Sequence, residues 1–280
     1  LSKGLTDLQI FINYGSILIK LGKYKEAEEL LIKAIRIYPD KSILRSMLGK
    51  IFSQIGDLKE AEKNIKIAIE LDPLIAVNYI NLVKILLMLS KINEARIYLN
   101  KALEIDPNSP DSLNLMGFIL KELGEYKDAE INFRKAISLN PDFVKAYINL
   151  GTLSKELFKL NQARVNIKKA IELDPNSIQA FWSLYGLSNS IEEAEECMNN
   201  CLQIDENYLD AKITLSALKL HQGDKGLFEL LTNSINNKHP LFSSIEWVSK
   251  LPKIPKIFFH RAEFYDNAIN ESKIDRPFYE

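Results

Sequence analysis

Prolines at positions 39, 73, 107, 141 and 175 stand 34 residues apart, and alanines keep that step twice. One alanine series is Ala27, Ala61, Ala95, Ala129 and Ala163; the other is Ala34, Ala68, Ala102, Ala136 and Ala170. Gly15, Gly49, Gly117 and Gly151 hold the same period with Val83 in the gap, and a second set, Gly22, Gly56 and Gly124, gives way elsewhere to Ser90 and Phe158. Several series locked in phase constrain the fold more than any composition can. The chain is one short unit, repeated and stacked.

The unit itself reads as helix, turn, helix, turn. Within residues 110–143, Leu113, Met116, Leu120 and Leu123 fall on one helical face, and Ala129, Phe133, Ala136 and Ile137 form a second stripe after the turn at Gly124-Glu125. Asn140-Pro141 then ends the second helix, because proline has no N–H to donate and clashes with the preceding turn. Neither helix can hide its apolar face alone. The stripe Ala27, Leu31, Ala34 is small enough for helices to pack at the short end of the ~8–10 Å range, so each repeat completes the core of its neighbour.

This spacing of small residue, glycine, aromatic, alanine and proline resembles the tetratricopeptide repeat. The best-matching repeat carries the pattern at Gly117, Gly124, Tyr126, Ala129, Phe133, Ala136 and Pro141, with Leu113 standing where the usual tryptophan would be. The resemblance implies an all-α fold, a right-handed superhelical solenoid of about seven repeats, and a binding rather than catalytic role. The repeats are expected at 8–41, 42–75, 76–109, 110–143, 144–177, 178–208 and 209–242, so that 1–242 forms the superhelix. The sixth repeat is three residues short, since Ala194 arrives early, and a shortened turn between its helices is expected. The chain starts at Leu1 without a methionine, no signal peptide is visible, and Leu1–Leu5 reads as the end of a helix from a preceding repeat.

After residue 242 the period is lost. Residues 243–272 read as a helical cap or linker carrying Trp247, with Phe258, Arg261, Ala262, Tyr265 and Ile269 spaced for one helix face. Residues 273–280 read as the start of a further domain. The tail resembles the approach to the first strand of class I S-adenosylmethionine-dependent methyltransferases of the macrocin O-methyltransferase kind, with Glu280 at the acidic position. The glycine-rich turn of those enzymes does not occur here, so no cofactor is expected on this chain.

Composition excludes several partner classes. With 36 basic and 37 acidic residues the formal net charge is −1, which leaves no bulk attraction to nucleic acid or anionic membrane. Only seven of the basic residues are arginine, a poor basis for bidentate phosphate recognition. No apolar run approaches the ~20 residues that span a bilayer. Cys197 and Cys201 sit four apart on one helix with His221, His239 and His260 scattered, so no metal site is expected and the thiols read as reduced and mostly buried. A monomer in a reducing cytoplasm is the expectation. No phosphate loop, His-x-x-x-His pair or serine beside a base is present, and Glu28-Glu29 and Glu192-Glu193 are expected on solvated outer faces.

In the fold implied by the resemblance, the first helix of each repeat lines a concave groove. Asn13, Asn81 and Asn149 then share one inward position, with Asn114 one residue away and Met47 interrupting the series. The stretches AYINLG and NYINLV are similar to the asparagine-bearing repeats of the O-GlcNAc transferase superhelix. Such a ladder can grip the backbone of an extended peptide, because each amide both donates and accepts; it can equally satisfy neighbouring backbone and water. Lys50, Lys84 and Lys145 are also inward, with Lys121 and Lys155 further along their helices. They form either a basic channel for an acidic segment or a solvated mixed-charge face, given the adjoining Glu122 and Glu156. Thr152 shares the groove position of Lys50 and Lys84. Ile12 stands where a chaperone-type carboxylate clamp needs lysine. Ile80, Leu87, Leu115 and Phe118 supply an apolar floor or pack between helices, and Trp182 is an anchor or a core residue. Two functions follow: a protein- or peptide-binding scaffold, or the substrate-recruiting arm of a larger transferase.

Overall fold

The computed structural model describes residues 2–222. Expectations that fall on residues 223–280, including the rest of the seventh repeat, the cap and the methyltransferase-like tail, lie outside them. The fold is all-α, of the repeat-solenoid class, with thirteen helices and no strand among the described residues. It divides after Pro141 into two compact units.

The first unit holds α1 (Ser2–Lys20), α2 (Tyr24–Ile37), α3 (Ser42–Ile55), α4 (Leu58–Leu71), α5 (Ala76–Met88), α6 (Ile92–Ile105), α7 (Pro110–Glu122) and α8 (Tyr126–Leu139). They pair as four antiparallel hairpins, and the second helix of each of the first three also packs on the first helix of the next. Ser2–Lys20 is one continuous helix, so residues 2–5, read as the end of a separate helix, run on without a break into the rest of α1; no proline interrupts it.

The turns explain the second glycine series. After α7, the Gly124 amide donates to the Lys121 carbonyl at 2.9 Å and the Glu125 amide to Leu120 at 2.8 Å. That pair of bonds needs a left-handed residue, and Gly124 supplies it at φ 79° without steric cost. The second and third hairpins are then each closed from the next by an Asp side chain. Asp72 Oδ1 accepts from the Leu74 amide at 3.2 Å and Asp106 Oδ1 from the Asn108 amide at 3.2 Å, turning the chain as the proline prevents further helix.

The first glycine series has a different cause. A Cβ on Gly117 would stand 2.6 Å from the Phe133 ring, which is wholly buried between α7 and α8. The glycine therefore sets how closely a hairpin closes. Around these contacts the core is continuous stripe on stripe: Ala27, Leu31 and Ala34 of α2 join Leu18 of α1 and Leu44, Leu48 and Ile51 of α3 in one buried cluster. Each fully buried leucine or isoleucine contributes roughly 1.5–3 kcal/mol over exposure.

The second unit holds α9 (Val144–Glu156), α10 (Leu160–Leu173), α11 (Ile178–Tyr185), α12 (Ile191–Ile204) and α13 (Leu209–His221). Its closure repeats the same physics, with Gly151 against Ile167, where a Cβ would come within 2.6 Å. The three-residue loss in the sixth repeat is absorbed by helix rather than turn. Helix α11 has 8 residues where α9 has 13, and residues 186–190 form the connection. Gly186 and Ser188-Asn189-Ser190 end the helix early, and Ser190 Oγ accepts from the Glu193 amide at 3.2 Å to start the next. Asp205 keeps its turn-closing bond to the Asn207 amide, 2.9 Å, although Glu206 replaces the proline.

Candidate functional site

The first helices of the first unit each bury one side and leave polar residues accessible on another. Asn13 on α1, Lys50 on α3 and Lys84 on α5 are exposed, and Asn81 on α5 is half-buried. Asn13 accepts from Gln9 Nε2 at 2.8 Å, one helical turn earlier. Asn114 is different: at 7% exposure it belongs to the interior of α7. It stands one residue out of phase with Asn81, and one residue is a rotation of roughly 100° about a helix axis. Phe118 is half-buried with the Lys121 ammonium 5.7 Å from its ring centre, and Lys121 is also 2.6 Å from Glu122. Ile80 is buried and belongs to the core, whereas Leu87 and Leu115 are half-buried.

In the second unit, Lys145 on α9 is exposed, and Asn149 and Thr152 are half-buried. The Thr152 hydroxyl donates to the Ile148 carbonyl at 3.0 Å. Lys155, at the end of that helix, sits over the backbone of Gly186, where a Cβ would come within 2.5 Å of its ammonium. Burial lowers the Lys155 pKa, with Glu156 acting against that shift. Trp182 is half-buried in α11, 5.6 Å from Tyr185 and edge-on to Tyr208 at 6.0 Å between ring centres. These rings pack on the buried cluster formed by Ala194, Cys197, Met198 and Cys201 with α13.

The two cysteines are buried free thiols. Desolvation pushes Cys197 up to about 12 and Cys201 up to about 11, so neither carries a thiolate near neutral pH. Among the described residues no group of three or more His, Cys, Asp or Glu is placed to hold a metal ion. No described helix is long and apolar enough to cross a membrane.

Charged ties between successive repeats escape a face-by-face reading of the sequence. Glu62 on α4 binds Lys91, which precedes α6, at 2.8 Å; one period later Arg96 on α6 binds Glu125, which precedes α8, at 2.6 Å, with the charges exchanged. The second unit has a tie of the same span: Arg164 on α10 binds Glu193 and the Leu187 carbonyl. Glu193 is therefore not the solvated outer residue expected of it. Burial works against its carboxylate, but Arg164 and the Asn189 amide more than offset this and lower its pKa. The signal available in the sequence was opposite charges 29 residues apart.

Three profiles of the tetratricopeptide repeat match the chain, at residues 6–73, at 98–131, and at 76–109 and 144–177, together more than half of it. The chain belongs to the tetratricopeptide repeat family. Solved structures share the fold of this tetratricopeptide protein. The APC/C hetero-tetramer Cut9-Hcn1 aligns with TM-score 0.68 and 18% identity over 78% of this chain, which spans 45% of the other. Pseudomonas aeruginosa pilF aligns with TM-score 0.62 and 17% identity over 76% of this chain and 96% of its own. TTC0263, a thermophilic tetratricopeptide protein of Thermus thermophilus, aligns with TM-score 0.54 and 20% identity over 70% and 99%. No curated protein sequence matches the chain. Proteins of this family bind protein partners and are generally not catalytic.

Proposed function

We propose that the protein is a non-catalytic scaffold whose first helices bind an extended segment of a partner protein. The observation that carries this reading is the accessible polar set on those helices. In the first unit Asn13, Lys50, Asn81 and Lys84 recur at two positions of the period and remain wholly or partly open to solvent. In the second unit Lys145, Asn149 and Thr152 lie at i, i+4 and i+7 of α9 and so share one face. Amide side chains held on a rigid helical frame meet the backbone of an extended peptide without regard to its sequence, and the lysines favour acidic residues beside it. Phe118, half-buried beside Lys121, takes the repeat position of Lys50, Lys84 and Thr152, whereas Asn114 lies in the interior of α7 and Trp182 packs beside Tyr185.

A peptide held this way binds at about micromolar strength, roughly −8 kcal/mol. The test is calorimetric titration of the full chain with partner-derived peptides recovered by affinity capture. Asn81→Ala combined with Lys84→Ala is expected to weaken binding by about tenfold or more, ~1.4 kcal/mol, with an unchanged thermal midpoint. Unaltered affinity in that double variant overturns the assignment of this surface.

A further inference from the structure

Helices α3 and α5 lie in contact and carry one surface pattern a period apart. On α5, Val77, Asn81 and Lys84 stand at i, i+4 and i+7; on α3 the same positions hold Ile43, Met47 and Lys50, so each set shares one helix face. Val77 is 56% exposed and Ile43 43%, both lysines are exposed, and Met47 is nearly flush at 8%. Two rows result, one aliphatic and one cationic, about 10 Å apart along the helix axes. Neither helix contains an aspartate or glutamate. Among the described residues the side chains of Lys50, Asn81 and Lys84 meet no hydrogen-bonding or ion-pairing partner, whereas Lys63 and Lys66 of α4 are tied to Glu60 and Glu62. The cationic row is therefore not neutralised from within.

We propose, resting on the peptide surface assigned above, that the bound segment alternates acidic and aliphatic side chains, its carboxylates on Lys50 and Lys84 and its aliphatics on Ile43 and Val77. An extended chain turns successive side chains to opposite sides, with about 6.6 Å between those on one side. Laid across α3 and α5 at the level of Met47 and Asn81, it sends one set toward the lysines and the other toward Ile43 and Val77. Packed helix axes lie ~8–10 Å apart, a difference that the flexible lysine stems take up. The Asn81 amide stands between the rows, where it meets the backbone N–H and C=O groups that an extended chain leaves open and a helix does not. Next in order, α7 puts Asp111 at the position of Val77 and Phe118 at that of Lys84, so the alternation is read on α3 and α5 only. Residues 223–280 contain no stretch in which acidic and aliphatic residues alternate twice, so the tail of this chain offers no match.

The probe is a fluorescein-labelled peptide in which glutamate and valine alternate twice, flanked by glycine and serine. Anisotropy with the full chain is expected to show saturable binding that weakens as salt is raised. Lys50→Glu should weaken it by about tenfold or more, and Val77→Asn by about threefold. A peptide alternating lysine and valine should prefer the chain carrying Lys50→Glu and Lys84→Glu together over the unaltered one. The substituted side chains are all exposed, so the variants are expected to fold, and an unchanged thermal midpoint checks that. Absent binding overturns the proposal. So does equal binding of a peptide with its glutamates and valines in separate blocks, which assigns the surface to charge alone, and so does binding indifferent to Val77→Asn. If partner-derived peptides nevertheless bind through Asn81 and Lys84, the peptide surface stands and only the ligand pattern falls; if neither kind of peptide binds, both fall.

Discussion

Phe158 combines two unfavourable features in one residue. It takes φ 58° at the end of α9, making the same pair of bonds as Gly124: its amide donates to Lys155 at 2.9 Å and the next amide to Ser154 at 2.8 Å. A left-handed conformation costs a residue with a Cβ roughly 1–2 kcal/mol. The ring returns little of this by packing, because the residue is 88% exposed. Phe158→Gly relieves the strain while adding about 0.4–1 kcal/mol of unfolded-state entropy for folding to overcome. The net expectation is a stabilisation of about 0.5–1 kcal/mol, read as a higher urea midpoint at unchanged slope. A lower midpoint would show that the ring makes contacts worth more than the strain.

Elements are joined here by two devices, close packing inside a hairpin and charged ties from one hairpin to the next. The tie centred on Arg164 spans α10, the connection after α11 and the first turn of α12. Arg164→Ala removes charge-assisted bonds to Glu193 and to the Leu187 carbonyl and leaves a partly buried carboxylate without its main partner. Exposure of the pair tempers the loss, which is expected at about 1–2 kcal/mol by chemical denaturation. Glu193 has its folded pKa below its unfolded one, so its contribution is complete above the ordinary carboxylate range. It fades as pH falls through the lowered folded value. The gap between wild type and Arg164→Ala should therefore narrow on acidification. A gap independent of pH would assign the loss to packing of the arginine stem.

What the sequence disclosed at this scale follows from phase. Where five repeats kept one step, the paired helices, their turns and their alanine contacts could all be read directly. Ala194 arriving three residues early located the loss in the sixth repeat, but arithmetic alone does not say whether helix or turn absorbs it. Gly186 and Ser190 decide that through local conformation and capping. The asparagines show the same limit. Asn13, Asn81 and Asn149 in phase stay wholly or partly accessible, while Asn114, a single residue off, turns into the interior. Glu193 looked solvated because its partner lies on another hairpin, and helix faces read one at a time do not reveal such neighbours.

At the scale of the whole molecule, stacked repeats make stability a sum of local terms rather than the property of one core. A defect should then be felt mainly in the unit that contains it. Gly117→Val forces side-chain atoms into the space of the buried Phe133 ring in the first unit, and Gly151→Val does the same to Ile167 in the second. Overpacking of this kind costs about 1–3 kcal/mol, which corresponds to roughly a 5- to 150-fold rise in exchange for amides that open with the affected hairpin. Hydrogen exchange of the folded chain is expected to show Gly117→Val accelerating amides of α5 to α8 with a smaller effect on α12, and Gly151→Val giving the converse, with α9 to α11 most affected and α2 to α4 least. Equal acceleration across residues 2–222 from either substitution would mean that the two units open as one cooperative body, and the nearest-neighbour description would not hold for this chain.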